Sequence, residues 1–249
     1  PITFVASSNC GIYCGSIPDF VDIDIDTYNM DMTILEEKLK EAKKKKRLPK
    51  IVIPVHFAGL PCDMVRLYAL SKEYGFRIIE DACHALGSEY KAKSGDWIKV
   101  GSCKHSDMTV FSFHPLKHIT TGEGGCITTR YKALYDKLLM LRNHGITKGQ
   151  GLPSSDKYGP WYYEMRSLGF NYRLSDILCA LGISQLSRLS KMVKRRQDAT
   201  LLYDRLLDEA YGITSQKKLD NFQNSFHLYA LQINYWDYGI NRTDLMNFL

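Results

Sequence analysis

Apolar residues recur along this chain at two spacings. A repeat of three to four marks an amphipathic helix, and a short, nearly unbroken apolar run marks a buried strand. Over residues 32–45 Ile34, Leu35, Leu39 and Ala42 fall on one helical face. Residues 51–57 predict a buried strand and 59–61 a turn. Over 63–74 Met64, Leu67 and Leu70 predict a second helix, which Gly75 ends. Residues 76–80 predict the next strand, with Asp81 at its C-terminal end. Further strands are expected at 1–6, 20–24, 108–113, 125–129 and 226–233. Helices are expected at 131–143 and across 174–208, where a break near Leu189 gives two. The stretch 145–165 is rich in Gly, Ser, Pro and aromatics and predicts a long irregular loop. Such loops are usually functional or disordered, and Trp161, Tyr162 and Tyr163 favour an ordered, binding role.

Strand, helix of ten to fifteen residues, strand is the signature of an α/β fold with a mainly parallel sheet flanked by helices. A chain of 249 residues that is 45% hydrophobic suits one large domain and part of another. The expected division is a large domain over 1–190 and the start of a smaller C-terminal α/β domain over 191–249. The chain opens on Pro1 in a strand-like run and closes on what reads as a helix cut short, as a piece of a longer protein would.

The net charge of +6 is modest, and much of it lies in the basic run 43–47. That run follows an amphipathic helix without interleaved aromatics, so it reads as a solvated helix end rather than a nucleic-acid patch. No stretch of 18 apolar residues predicts a membrane span. Seven cysteines, an odd number without CxxC pairs, suit reduced core thiols and a cytoplasmic setting. Cys10 and Cys14 are four apart and Cys103 is near His105, but no second pair completes a metal site, and none is expected.

The candidate chemistry lies where strands end, the place at which open α/β sheets put their ligands. Lys117 follows the 108–113 strand in a Pro-broken turn among His, Thr and Gly. A lysine partly shielded from water there can serve as an amine nucleophile, although most lysines in such turns are merely solvated. Three glycines within 122–125 imply backbone packed close to something or positive φ angles. A carboxylate at Asp81 can hold a cationic ring nitrogen, or be a helix cap or surface ion pair. His84 offers a flat ring for stacking, or is a structural histidine. Ser112 offers a hydroxyl to a phosphate. His114 and His118 are four apart, but Pro115 argues against the helix that a metal pair needs.

Taken in order, EDACHALG at 80–87, FSFHPLK at 111–117, TGEGG at 121–125 and LGFNYRLSD at 168–176 resemble the DegT/DnrJ/StrS family of nucleotide-sugar aminotransferases. FVDID at 20–24 and PVHFAG at 54–59 belong to the same likeness, which runs from about Ile2 to Leu231. The resemblance implies a pyridoxal 5′-phosphate-dependent transferase fold of type I, residues 1–190 being its cofactor-binding domain without its N-terminal part. It implies a homodimer with active sites at the subunit boundary. Lys117 would be the lysine that bonds the cofactor and Asp81 the partner of its ring nitrogen. His84 would stack on the ring, Ser112 bind the phosphate, and Asn171 reach the phosphate in the neighbouring subunit. The family's small-residue phosphate loop would lie upstream of Pro1.

The implied activity moves an amino group from glutamate to the keto group of a nucleotide-linked sugar. The sugar dehydratase branch of the family carries histidine in place of the lysine, so Lys117 favours transamination. The stretch YGPWYYEMRSLGFNYR at 158–173 looks most like the carbon-4 aminotransferases of the pseudaminic acid pathway. Those act on a UDP-4-keto-6-deoxy-N-acetylhexosamine. On that loop Tyr158, Trp161, Tyr162 and Arg166 are candidate substrate contacts. The alternative is a non-catalytic regulatory or ligand-binding protein on the same fold, because fold alone does not settle activity.

Overall fold

Aspartates set the starts of the first core helices. Asp31 accepts from the Thr33 and Ile34 N–H groups at the head of α2 (Met32–Lys44), and Asp63 accepts from Arg66 at the head of α3 (Met64–Tyr74). Gly75 ends α3 at φ +80°, a conformation that glycine adopts without cost. The computed structural model describes residues 2–148, 158–159 and 161–249. Helix α1 (Ala6–Tyr13) comes first; β1 (Ile51–Val52) and β2 (Arg77–Asp81) flank α3. A hairpin, β3 (Glu89–Lys91) and β4 (Trp97–Lys99), precedes β5 (Met108–Ser112), β6 (Gly125–Thr128) and α4 (Lys132–Leu141). Then come β7 (Ile146–Lys148), β8 (Tyr163–Met165), α5 (Asp176–Leu186) and α6 (Leu189–Leu207). The chain closes with β9 (Ile213–Ser215), β10 (Phe222–Gln223), β11 (Leu231–Ile233) and α7 (Arg242–Phe248).

The central sheet has the order β1-β2-β5-β6. Its first two pairings are parallel and β5 meets β6 antiparallel, so the sheet is mixed. Leu35 and Leu39 of α2 and Met64, Leu67 and Leu70 of α3 share one core cluster with Val52, Ile78 and Phe111 of the strands. Each fully buried side chain of this kind contributes about 1.5–3 kcal/mol. Strand periodicity then decides what the end of β2 does. Ile78 and Glu80 are buried, while Ile79 and Asp81 alternate with them and point to the opposite face. Asp81 therefore leaves the core at the strand's C-terminal end. Among the described residues no helix is long and apolar enough to cross a membrane.

Several expected strands are shorter or absent, for local reasons. Residues 2–5 form no strand. The Val5 carbonyl accepts from the Ser8 and Asn9 N–H groups instead, and α1 follows. In 20–24 only Ile23 makes a bridge, to Met30, because Asp22 and Asp24 turn their carboxylates onto nearby backbone N–H groups. The 51–57 run pairs as a strand only at Ile51–Val52; Pro54 has no N–H to give the ladder, although Val55 still bridges Asp81. The 226–233 run is a strand only at Leu231–Ile233, for Phe226 takes φ +49°. The 145–165 loop begins and ends as paired strands, β7 with β8; residues 149–157 and 160 lie outside the described residues. The thiols are less uniformly in the core than expected. All seven are free, but Cys10, Cys14 and Cys126 are exposed.

Candidate active site

Asp81 is fixed through both its backbone and its side chain. Its N–H donates to the Pro54 carbonyl at 2.9 Å and its carbonyl accepts from His56 at 3.1 Å, while its register partner across the sheet is Val110. On the side chain, Oδ2 accepts from Ser7 Oγ at 2.5 Å and Oδ1 from the Cys83 N–H at 3.1 Å. A carboxylate held by two donors at the end of a parallel strand is oriented before any ligand arrives.

Lys117 sits half-buried in the turn that leaves β5. Its N–H donates to the His114 carbonyl at 2.9 Å. The turn is closed by Thr121 N–H to the Phe113 carbonyl, 3.0 Å, and by Phe113 N–H to the Gly124 carbonyl, 2.8 Å. Gly122 takes φ +81° with open space around it, while Gly124 and Gly125 are there for packing. A Cβ on Gly125 would stand 2.5 Å from the Phe111 carbonyl oxygen, and one on Gly124 would stand 2.4 Å from Thr121 Oγ1.

Three imidazoles lie together within electrostatic reach of Lys117. His84 and His227 have ring centroids 4.4 Å apart, and His118 lies 5.5 Å from His227. Burial lowers the pKa of each, assisted by the Lys117 charge: His84 and His118 to about 4 and His227 to about 3. All three are therefore uncharged at neutral pH. Burial, and then the Asp81 carboxylate, pushes the neighbouring Cys83 thiol up to about 12, so it stays protonated. The Nδ1 atoms of His84, His118 and His227 are buried without a hydrogen-bond partner among the described residues. The arrangement is an amine, a held carboxylate and flat neutral rings in one place, as a planar, polar cofactor requires.

The whole chain, residues 1–249, matches the DegT/DnrJ/EryC1/StrS aminotransferase family. The chain belongs to that family.

The Campylobacter jejuni UDP-4-amino-4,6-dideoxy-N-acetyl-beta-L-altrosamine transaminase is 39% identical over 231 residues, which is 93% of this chain and 56% of that protein. The solved structure of Helicobacter pylori PseC, an aminotransferase involved in the biosynthesis of pseudoaminic acid, superposes with a TM-score of 0.81. It shares 33% identity over 96% of this chain and 58% of its own. Spr1654 from Streptococcus pneumoniae in its PLP-form gives 0.75 at 29% identity, over 93% of this chain and 58% of that one. The chain thus spans somewhat over half the length of the relatives it matches.

Aminotransferases of this family depend on pyridoxal 5′-phosphate. The described residues fit that group. Lys117 and Asp81 offer the amine and the carboxylate, His84 the flat ring, and the unpartnered imidazole nitrogens show that polar atoms are wanted there. The other candidates make contacts of their own. Ser112 is half-buried at the end of β5, where its Oγ accepts from the His114 N–H at 3.3 Å. Asn171 is exposed and bridges Asn143 through its backbone. Tyr158 stacks on Tyr162 at 4.4 Å, Tyr162 donates to Glu164 at 2.5 Å, and Arg166 pairs with Glu164 at 2.9 Å. Trp161 is largely exposed. Ser7, His118 and His227 join the Lys117 group although the sequence marked none of them as cofactor contacts. Ser7 follows directly on a stretch that reads as a strand, and His227 is 110 residues beyond Lys117, so no local pattern points to either.

Proposed function

We propose that the protein is a nucleotide-sugar aminotransferase. Its amino donor is glutamate and its acceptor the keto group of a nucleotide-linked sugar, a UDP-4-keto-6-deoxy-N-acetylhexosamine for surface-glycan synthesis of the pseudaminic acid kind. The observation that carries this reading is the half-buried Lys117 within electrostatic reach of Cys83 and the imidazole trio, with Asp81 anchored to the Cys83 N–H. Pyridoxal 5′-phosphate, when bound, supplies an aldehyde and an electron-accepting ring. Lys117 would be the residue that holds that group through its amine and, when the amine is free, the base that would carry a proton from the donor's Cα. Asp81 would hold a proton on the ring nitrogen, its own position set by Ser7 and the Cys83 N–H. His84 would offer its flat ring to the cofactor's face, bringing no charge to it. Ser112 would donate its hydroxyl to the phosphate, and Asn171 would reach the phosphate in a second subunit. Tyr158, Trp161, Tyr162 and Arg166 contact the sugar nucleotide.

A homodimer is part of this reading. Ile177 and Ile183 of α5 are 83% and 71% exposed, and Leu168 and Tyr172 beside Asn171 are 83% and 72% exposed, an apolar face that a second copy would cover. Sedimentation of the full-length enzyme is expected to give a dimer; a monomer at working concentration would remove Asn171 from its role. Free thiols throughout support a reducing, cytoplasmic setting.

The activity is tested on full-length, cofactor-loaded enzyme. Glutamate alone should release 2-oxoglutarate in a single turnover, and a panel of UDP- and dTDP-4-keto-sugars should then be aminated, the UDP-linked N-acetyl sugar fastest. A protein that binds the cofactor yet releases no 2-oxoglutarate is a non-catalytic member of the fold.

A further inference from the structure

The loop 224–228 holds its backbone at an angle that a phenylalanine rarely adopts, φ +49° at Phe226. Such a residue persists only where its surroundings over-determine it. Here they do. Asn224 Oδ1 accepts from the Phe226 N–H at 2.7 Å, and the Ser225 N–H donates to Ser88 Oγ at 3.1 Å. Ser225 Oγ donates to the His84 carbonyl at 3.3 Å, and the Ser225 carbonyl accepts from His118 Nε2 at 3.0 Å. The Arg196 guanidinium donates to the carbonyls of Phe226 and His227, each at 3.1 Å.

What this pinning positions is the His227 ring. It lies 4.4 Å from the His84 ring with 41° between their planes, while Phe57 meets His84 edge-on at 5.9 Å. His84 is therefore in contact with two rings. One comes from the first half of the chain and one from the C-terminal segment, 143 residues away. Because His84 and His227 are both uncharged at neutral pH, their contact carries no charge repulsion.

We infer that His227 is a positioning residue which, from the C-terminal segment, fixes the plane of the His84 ring for the cofactor. The inference rests on the reading of His84 as the ring that lies on pyridoxal 5′-phosphate. Its physical content is a ring–ring contact, so a flat apolar ring should replace His227 and a methyl group should not.

The test uses the full-length, cofactor-loaded enzyme and two readouts other than turnover. These are the circular dichroism induced in the cofactor band, which reports cofactor orientation, and the rate of cofactor release. His227→Ala is expected to weaken the induced signal and speed release roughly three- to tenfold, the range of an aromatic pair. His227→Phe is expected to restore both. His84→Ala combined with His227→Ala should be no worse than His84→Ala alone, because the second residue acts through the first. Wild-type values in His227→Ala, a Phe variant as defective as the Ala variant, or additive losses in the double variant would each overturn the inference. If His84→Ala itself leaves the induced signal unchanged, it is the stacking reading that fails. If His84→Ala alters the signal and His227→Ala does not, that reading stands and only the role of His227 falls.

Discussion

Lys117→Ala is expected to abolish the visible absorbance of the lysine-bound cofactor and to lower transamination by roughly 10³-fold or more, the scale of losing both a covalent anchor and a proton-transfer group. The fold should survive, because Lys117 is half-buried in a turn closed by backbone bonds of Phe113, Thr121 and Gly124 rather than by its own side chain. Lys117→Arg separates charge from nucleophilicity. A guanidinium keeps the positive charge that faces Cys83, His84, His118 and His227, yet it is not deprotonated in proteins. If charge were all that mattered, the arginine variant would retain activity; the assignment requires that it lose activity as the alanine variant does. Borohydride reduction followed by peptide mapping gives the direct check. In the wild type the cofactor mass should lie on the peptide that contains Lys117. An intact visible band in Lys117→Ala, or the mass on another lysine, ends the assignment.

The parts of this site that sequence made legible are those built from neighbours along the chain. Periodicity placed Asp81 at the end of β2 and Lys117 just past β5, and the parallel β2–β5 pairing is what then sets the two strand ends side by side. The helices 32–45 and 63–74 were legible because capping aspartates and apolar spacing agree within one segment. What sequence did not reveal depends on distant partners. Ser7 matters only because its hydroxyl meets a carboxylate 74 residues away. His227 matters through a strained backbone angle at Phe226 that hydrogen bonds from Asn224, Ser88 and Arg196 sustain. Its alternating surroundings, 226–233, read as a strand because alternation cannot see that strain. The β3–β4 hairpin was missed for a different reason: strands of three residues are too short to show a period, and β10, its third strand, arrives from the C-terminal segment.

Glu80, the residue before Asp81, is expected to give the largest loss of stability. It is 2% exposed and its carboxylate is fully engaged. Oε2 accepts from His56 Nε2 at 2.9 Å, and Oε1 accepts from Thr109 Oγ1 at 2.8 Å and from Ser106 Oγ. His56 is itself buried, and its Nδ1 accepts from the Cys62 N–H at 3.0 Å, which places the ring proton on Nε2, facing Glu80. Glu80→Ala leaves three buried donors without an acceptor and opens a cavity, a cost of about 3–5 kcal/mol in urea unfolding. That is a large share of the roughly 5–15 kcal/mol that holds a typical domain folded. Glu80→Gln keeps the volume and one acceptor oxygen, so about 1–3 kcal/mol is expected. The two variants also differ from the wild type in their response to acid. Burial opposes the Glu80 charge, but the hydrogen bonds from His56, Ser106 and Thr109 outweigh it and hold the carboxyl below its ordinary value of 4.5. A group whose folded value is depressed stabilises fully above the unfolded value and loses that contribution as pH falls through the folded one. Stability of the wild type should therefore fall more steeply below 4.5 than that of Glu80→Gln, which has no proton to take up at this position. Parallel acid slopes for the two proteins would mean that Glu80 carries no depressed titration. The Asp81 strand end would then be held by its backbone bonds to Pro54 and His56 and by Ser7, without help from a buried charge beneath it.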